Sequence, residues 1–254
     1  MKFLLCGKGG SGKSTIASLL AQSFQEKGFR VLVIDADESN YGLSTQLGLR
    51  DPKELMDQMG GKKALLKKML EKRSQGVKLP IFTETWRIDD IPSEYVSNRD
   101  GLYLLQIGKV KHFGEGCACP MGGLSRDFIS HLELNQKDVV IVDTEAGVEH
   151  LGRGVASSVD VILVVLDPSY ESIKLSEKIA SMVSESKKPV YFILNKVNDS
   201  LVAKMVAKLG KERVIGVVPF SEPILEKGLT GDMLDLKFAS IEAVTRFLLQ
   251  QYPH

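Results

Sequence analysis

The sequence predicts an α/β fold: a doubly wound, mostly parallel sheet of seven to eight strands with helices on both faces. Apolar, β-branched runs recur at Arg30–Ile34, Leu102–Ile107, Val139–Asp143, Val161–Asp167, Val190–Asn195 and Val214–Val218. Runs that are apolar along their whole length suit strands covered on both sides. Helical patterns separate nearly all of them, the rhythm of parallel strands joined by crossovers. A chain of 254 residues buries a large core, and α/β domains of this length commonly stay undivided, so a single domain over 1–254 is expected.

The first strand, Lys2-Phe-Leu-Leu-Cys6, runs into Gly7-Lys-Gly-Gly-Ser-Gly-Lys-Ser-Thr15 and then into a helix carrying Ile16, Leu19, Leu20 and Phe24. That order makes a phosphate-binding loop, because glycines let successive N–H groups turn toward phosphate oxygens at the positive end of a helix. Gly9, Gly10, Ser11, Gly12 and Thr15 form the expected cradle, Lys13 reaches the β- and γ-phosphates, and Ser14 supplies a hydroxyl for Mg²⁺. A P-loop NTPase follows from this stretch. Gly7, Gly9 and Gly12 also spell the dinucleotide pattern Gly-x-Gly-x-x-Gly, with Asp35 about 20 residues on as a ribose acid. Lys13 and Ser14 argue against that reading, since a dinucleotide turn needs neither an ammonium nor a hydroxyl behind its third glycine.

The second strand leads into Asp35-Ala-Asp37, whose spacing in an extended segment puts both carboxylates on one face near the phosphates. Asp37 is the candidate for orienting the attacking water, beside Lys8 and Lys13 as catalytic cations; Asp35 either shares that region or is a structural acid. The interval Tyr41–Asp100 holds short helices, a charged helix and the Leu79-Pro80 and Ile91-Pro92 turns, and reads as an elaborated crossover. Val139–Asp143 is a buried strand ending in an acid at the carboxyl edge of the sheet, so Asp143 joins Ser14 as a Mg²⁺-ordering group. The glycine-hinged segment Thr144–Arg153 is expected to be a switch that reorders on hydrolysis. His150 within it reads as a local hydrogen-bonding residue, since no second histidine stands at ligand spacing. Asn195 and Lys196 offer donor and acceptor groups to a purine edge, and Pro219 and Phe220 a cover for the ring. Position 198 is Asn rather than the carboxylate of a guanine pocket, so adenine, and hence ATP, is expected. The last segment, Phe238–Tyr252, places Phe238, Ile241, Val244, Phe247 and Leu248 at helical spacing and reads as a packing helix.

A net charge of +1 gives no global field toward nucleic acid or anionic lipid. A local cluster of Lys62, Lys63, Lys67, Lys68, Lys72 and Arg73 reads as the solvated face of a helix whose apolar stripe is Ala64, Leu65, Leu66, Met69 and Leu70. The first strand starts at the N-terminus with no apolar leader, and no apolar run reaches bilayer length. A cytoplasmic protein that engages neither membrane nor nucleic acid is therefore expected.

Two features exceed what a nucleotide site requires. Lys8 has no task within its own loop, and a cation there is sited to cross a two-fold axis and neutralise charge in a partner's site, which implies a homodimer. Gly114-Glu-Gly-Cys117-Ala-Cys119-Pro-Met-Gly-Gly123 holds two thiols in a glycine-rich turn before a helix expected to begin near Leu124. A helix N-terminus favours the thiolate, the metal-binding form. One Cys-x-Cys supplies two soft ligands, so two chains face to face would complete a Cys₄ set for Zn²⁺, Ni²⁺ or an iron–sulfur cluster. Cys6, inside the first strand, reads as core.

With these residues in view, the chain resembles the deviant phosphate-loop ATPases that include MinD and ParA partition proteins and the nitrogenase iron protein. It looks most similar to the CooC-type accessory ATPases of nickel-enzyme maturation. The resemblance rests on Phe113-Gly-Glu-Gly-Cys-Ala-Cys-Pro-Met-Gly122 and Asp143-Thr-Glu-Ala-Gly-Val-Glu-His-Leu-Gly-Arg-Gly154 and extends over essentially the whole chain. It implies dimerisation linked to ATP and metal, Ni²⁺ or Zn²⁺ held by Cys117 and Cys119 of both subunits, and a client nickel enzyme, carbon monoxide dehydrogenase or acetyl-CoA synthase. The segment Asp143–Gly154 lacks the second ligand cysteine of the nitrogenase iron protein, which disfavours an electron-transfer reductase or iron–sulfur carrier. Neither a basic DNA-binding surface nor a cationic C-terminal helix is evident, which disfavours a MinD/ParA-like positioning role.

Overall fold

A computed structural model describes residues 1–74, 81–110, 119–148, 154–183 and 188–252. Strands β1 (Lys2–Gly7), β2 (Arg30–Ala36), β3 (Ser97–Arg99), β4 (Leu102–Gln106), β5 (Asp138–Thr144), β6 (Val161–Leu166), β7 (Val190–Val197) and β8 (Val214–Pro219) form one sheet in the order β3-β4-β2-β5-β1-β6-β7-β8. All adjacent pairs are parallel except β3 with β4, so the doubly wound reading holds. The antiparallel edge strand β3 escapes sequence analysis because its three residues, Ser-Asn-Arg, carry no apolar signal.

The helices are α1 (Lys13–Glu26), α2 (Leu43–Leu47), α3 (Leu55–Gln58), α4 (Gly61–Ser74), α5 (Cys119–His131), α6 (Tyr170–Val183), α7 (Asp199–Leu209), α8 (Glu222–Thr230) and α9 (Ala239–Gln251). Alternation along each strand divides the core into two layers. Phe3, Leu5, Val31 and Val33 meet Ile16, Leu20 and Phe24 of α1 and Ile241, Val244 and Leu248 of α9. Leu4, Cys6, Leu32 and Ile34 meet Leu124 and Phe128 of α5 and Ile173 and Ile179 of α6 on the opposite face. The C-terminal segment is thus the packing helix its spacing predicts. Among the described residues, no helix is long and apolar enough to cross a membrane.

α4 departs from expectation. Leu65 is fully buried, but Leu66 and Leu70 are 45% and 58% exposed, so the expected stripe narrows to part of its width. Lys67 lies on the solvated side and pairs with Glu71 at 3.9 Å. The interval between β2 and β4 remains an elaborated crossover within the same sheet.

β1 lies between β5 and β6, and the chain passes from β1 to β2 on one side and from β5 to β6 on the other. The strand order therefore reverses around β1, and its carboxyl end opens into the crevice where doubly wound folds bind ligands. α9 reaches the sheet across Gly216 of β8, where an added Cβ would stand 2.5 Å from Val244 Cγ2. Gly216→Ala is expected to lower stability in urea unfolding by about 1–3 kcal/mol through overpacking. The Gly216→Ala/Val244→Ala double variant should lose less than the sum of its singles; strict additivity would contradict this close approach.

Candidate functional site

The loop after β1 is built to face an anion. Gly10 and Gly12 adopt positive φ (77° and 94°), a region that side chains rarely tolerate. Four of the loop's carbonyls are tied by donors. Gly147 N–H donates to Gly7 O at 3.1 Å, Ser11 N–H to Lys8 O at 3.1 Å, Lys196 Nζ to Gly10 O at 2.8 Å and Asn195 Nδ2 to Ser11 O at 2.8 Å. Gly10, Gly12 and Lys13 line an open cleft of about 510 Å³, bordered also by Thr15, Asp37, Asn40 and Glu145. Lys13 is almost fully buried, with Nζ 3.4 Å from Lys8 O at the loop's edge. A triphosphate offers this ammonium stronger acceptors than one long carbonyl contact.

Ser14 Oγ donates to Asp143 Oδ2 at 2.5 Å, joining the first turn of α1 to the end of β5. Asp143 is fully buried, and its Oδ1 has no hydrogen-bond partner. Burial pushes its carboxyl up to about 6, against the hydrogen bond from Ser14 and the charge of Lys13. An orphaned, desolvated carboxylate oxygen beside a serine hydroxyl at a phosphate cleft fits a hard divalent cation, so Ser14 and Asp143 are the residues that would hold Mg²⁺.

The two aspartates after β2 diverge instead of sharing a face. The strand continues to Ala36, so Asp35 stays inside the fold, 1% exposed, and pairs with Lys109 Nζ at 2.6 Å. Burial pushes the Asp35 carboxyl up to about 7 while Lys109 opposes the shift. Asp37 leaves the strand for a turn closed by Ser39 N–H and Ser39 Oγ, which donate to Asp37 Oδ1 at 2.9 and 2.7 Å, and it borders the phosphate cleft. Only Asp37 therefore reaches the phosphate region.

Sequence reasoning missed two residues here. Asn40 Nδ2 donates to Ser14 Oγ at 2.7 Å and stands 3.4 Å from Asp143 Oδ2, contacting both Mg²⁺-ordering groups. Lys109 donates to Asp35 Oδ2, to Asp37 O at 2.6 Å and to Asn40 O. A lone lysine in Gly108-Lys109, shortly after a mostly apolar strand, was the available signal.

Lys8 is not without a task in its own chain. Its Nζ lies 3.0 Å from Asp167 Oδ2, 3.1 Å from Ser169 Oγ and 3.4 Å from Glu171 Oε2. Burial pushes the Asp167 carboxyl up, but hydrogen bonds from Ser169, Ser172 and Lys8 outweigh it and hold the group below its ordinary value.

Asn195, Lys196, Pro219 and Phe220 are brought together with Gly12 in a second cleft of about 410 Å³, continuous with the loop. Phe220 is 58% exposed, a broad apolar wall of the kind a base stacks on. The Asn195 amide hydrogen already goes to Ser11 O. Asn198 caps α7, accepting from Leu201 N–H at 3.1 Å, so the position that suggested adenine is a helix cap turned to its own backbone.

α5 begins at Cys119 rather than near Leu124, five residues earlier than expected. Pro120 at the second position explains the early start, since its fixed φ suits a first helical turn. Cys117 and the side chain of Cys119 lie outside the described residues, as do His150 and the part of the expected switch from 149 to 153. Among the described residues no group of three or more His, Cys, Asp or Glu is placed to hold a metal ion.

Cys6 is 1% exposed, and burial pushes its thiol up to about 12. Iodoacetamide at pH 8 should leave Cys6 unmodified in the folded protein and alkylate it in denaturant, read by peptide mass; equal labelling would contradict the burial of β1. At Gly12 an added Cβ would collide with Asn195 Nδ2 as well as require left-handed backbone. A side chain in that conformation costs about 1–2 kcal/mol. Gly12→Ala is thus expected to weaken ATP binding at least tenfold by calorimetry.

Residues 3–234 match the profile of the CobQ/CobB/MinD/ParA nucleotide binding domain. An uncharacterised ATP-binding protein of Methanocaldococcus jannaschii is 47% identical over 248 residues, covering 98% of this chain and 99% of that one. The carbon monoxide dehydrogenase accessory protein CooC of Rhodospirillum rubrum is 32% identical over 231 residues, 88% of this chain and 85% of that one. The septum site-determining protein MinD of Pyrococcus horikoshii, solved with Mg-ADP, superposes with a TM-score of 0.69 at 16% identity, over 97% of this chain and 95% of that one. At that identity the likeness speaks for the fold. The chain belongs to the CobQ/CobB/MinD/ParA nucleotide-binding family and is an ATP-binding NTPase of the MinD/ParA class.

Proposed function

We propose that this protein is an ATP-driven metallochaperone, in which Mg-ATP and a thiophilic cargo, Ni²⁺ or Zn²⁺, draw two copies together. Hydrolysis then releases the metal toward a nickel enzyme, carbon monoxide dehydrogenase or acetyl-CoA synthase. The observation that carries the reading is the Cys117-Ala-Cys119 pair, with Cys119 as the first residue of α5. A helix N-terminus stabilises a thiolate, and two thiolates fill half of a tetrahedral site, so a second chain supplies the rest. Similarity to a protein named for its service to carbon monoxide dehydrogenase supports the client.

In the proposed hydrolysis, the loop amides and Lys13 bind the β- and γ-phosphates, Asp37 orients water for in-line attack, and Ser14 and Asp143 hold Mg²⁺. The cation would neutralise charge on the phosphate oxygens. Asn195, Lys196, Pro219 and Phe220 receive the adenine. Lys8 contributes to the partner's site only after leaving Asp167, so in a single chain its ion pair opposes the active arrangement.

Metal analysis combined with mass in solution tests the reading on wild type and on Cys117→Ala/Cys119→Ala protein, each with and without ATP. One metal ion per two chains in an ATP-favoured dimer is expected for wild type, with metal and metal-dependent mass lost in the variant. A monomer that takes up metal one to one regardless of ATP, or the visible absorption of an iron–sulfur cluster, would overturn it.

A further inference from the structure

We propose that Lys109 is a positioning residue of the ATPase, holding the Asp37–Asn40 turn in register with the phosphate cleft. The inference rests on reading Asp37, Ser14 and Asp143 as the residues that serve water and Mg²⁺. Lys109 is 4% exposed and follows the end of β4 by three residues, outside the nucleotide loop. Its ammonium has three N–H donors, and three acceptors in one turn take them: Asp35 Oδ2, Asp37 O and Asn40 O. Charge neutralisation of Asp35 alone would need the first. The other two bonds grip the peptide units that carry Asp37 and Asn40, from behind, while both side chains face the cleft.

The surrounding backbone extends the same grip. Ile107 N–H donates to Asp35 O at 3.0 Å, Val110 N–H to Glu38 O at 3.2 Å, and Tyr41 Oη to Val110 O at 2.6 Å. Lys109 N–H in turn donates to Glu54 Oε2 at 3.1 Å, which anchors the lysine to the start of α3. The turn is thus laid along residues 107–110 as on a template. Its front face presents Asn40 Nδ2 to Ser14 Oγ and Asp143 Oδ2, where a donor group and a cation exclude one another. A cation bound by Ser14 and Asp143 displaces that amide, and Lys109 keeps the displacement to the side chain by retaining the Asn40 carbonyl.

Three variants test this: Lys109→Met, Asp35→Asn/Lys109→Met and Asp37→Asn. Lys109→Met keeps the apolar stem but strands the Asp35 carboxylate, and the double variant removes that stranded charge so that a folded protein is available for comparison. Each is read by steady-state ATPase, by calorimetric ATP affinity and, without nucleotide, by hydrogen exchange of residues 37–42. Positioning predicts that the double variant keeps ATP affinity within about threefold, loses about 100-fold in kcat and exchanges the turn faster, since a displacement near 1 Å costs about that much. Recovery of turnover in the double variant, or unchanged exchange of the turn, would show that Lys109 only balances Asp35 and would overturn the proposal. Asp37→Asn at wild-type turnover would instead remove the water-orienting role of Asp37, leaving the Lys109 result to be judged through Asn40 and the exchange data.

Discussion

An anion-binding loop works when its amides point inward, which obliges the carbonyls between them to point outward, where an unpaired acceptor is costly. In this protein the donors for those carbonyls come from distant parts of the chain. Gly147 after β5 serves Gly7, and Asn195 and Lys196 at the end of β7 serve Ser11 and Gly10. The loop is therefore a product of the whole central sheet, and β5, β1, β6 and β7 must be in register for it to hold its shape. The same contacts tie the loop to both neighbours, since Gly147 lies in the segment expected to act as a switch and Asn195 lies in the cleft proposed for the base.

Charge at the carboxyl edge follows the same logic of neighbours. Asp35 and Asp143 are register partners on adjacent strands, and burial disfavours the ionised form of both. Lys109 serves the first. The second has a serine hydroxyl, an asparagine amide and one oxygen with no partner, the position to which the proposed Mg²⁺ is assigned. Lys8 shows the complementary arrangement, a loop cation satisfied on the far side by Asp167 and the start of α6. Its release and the occupation of a partner's site would be linked events, because one ammonium cannot serve both sets of oxygens.

The expectations that failed share a cause. Asp35 and Asp37 were treated as one extended pair, but the strand ends between them and one residue turns into the core while the other turns out. Asn198 stands where a guanine pocket carries a carboxylate and so points to adenine, but its side chain is committed to capping the next helix. Leu66 and Leu70 carry helical spacing, yet the elements around α4 cover only the side where Leu65 lies. Each of these depends on what stands opposite the residue, and local pattern does not contain that information.

What the sequence by itself determined was everything written in short-range chemistry: the strand–glycine loop–helix, the parallel rhythm of apolar runs, the acid at the end of β5 and the packing stripe of α9. These are set by backbone conformation and by periodicity, both local properties. Long-range packing settled which far-off donors hold the loop, that Asp35 is paired with Lys109, and that Lys8 is held by Asp167. Those pairings join residues 74 to 186 positions apart, and they exist because the sheet order places the ends of β4, β2, β5, β1, β6 and β7 along one edge.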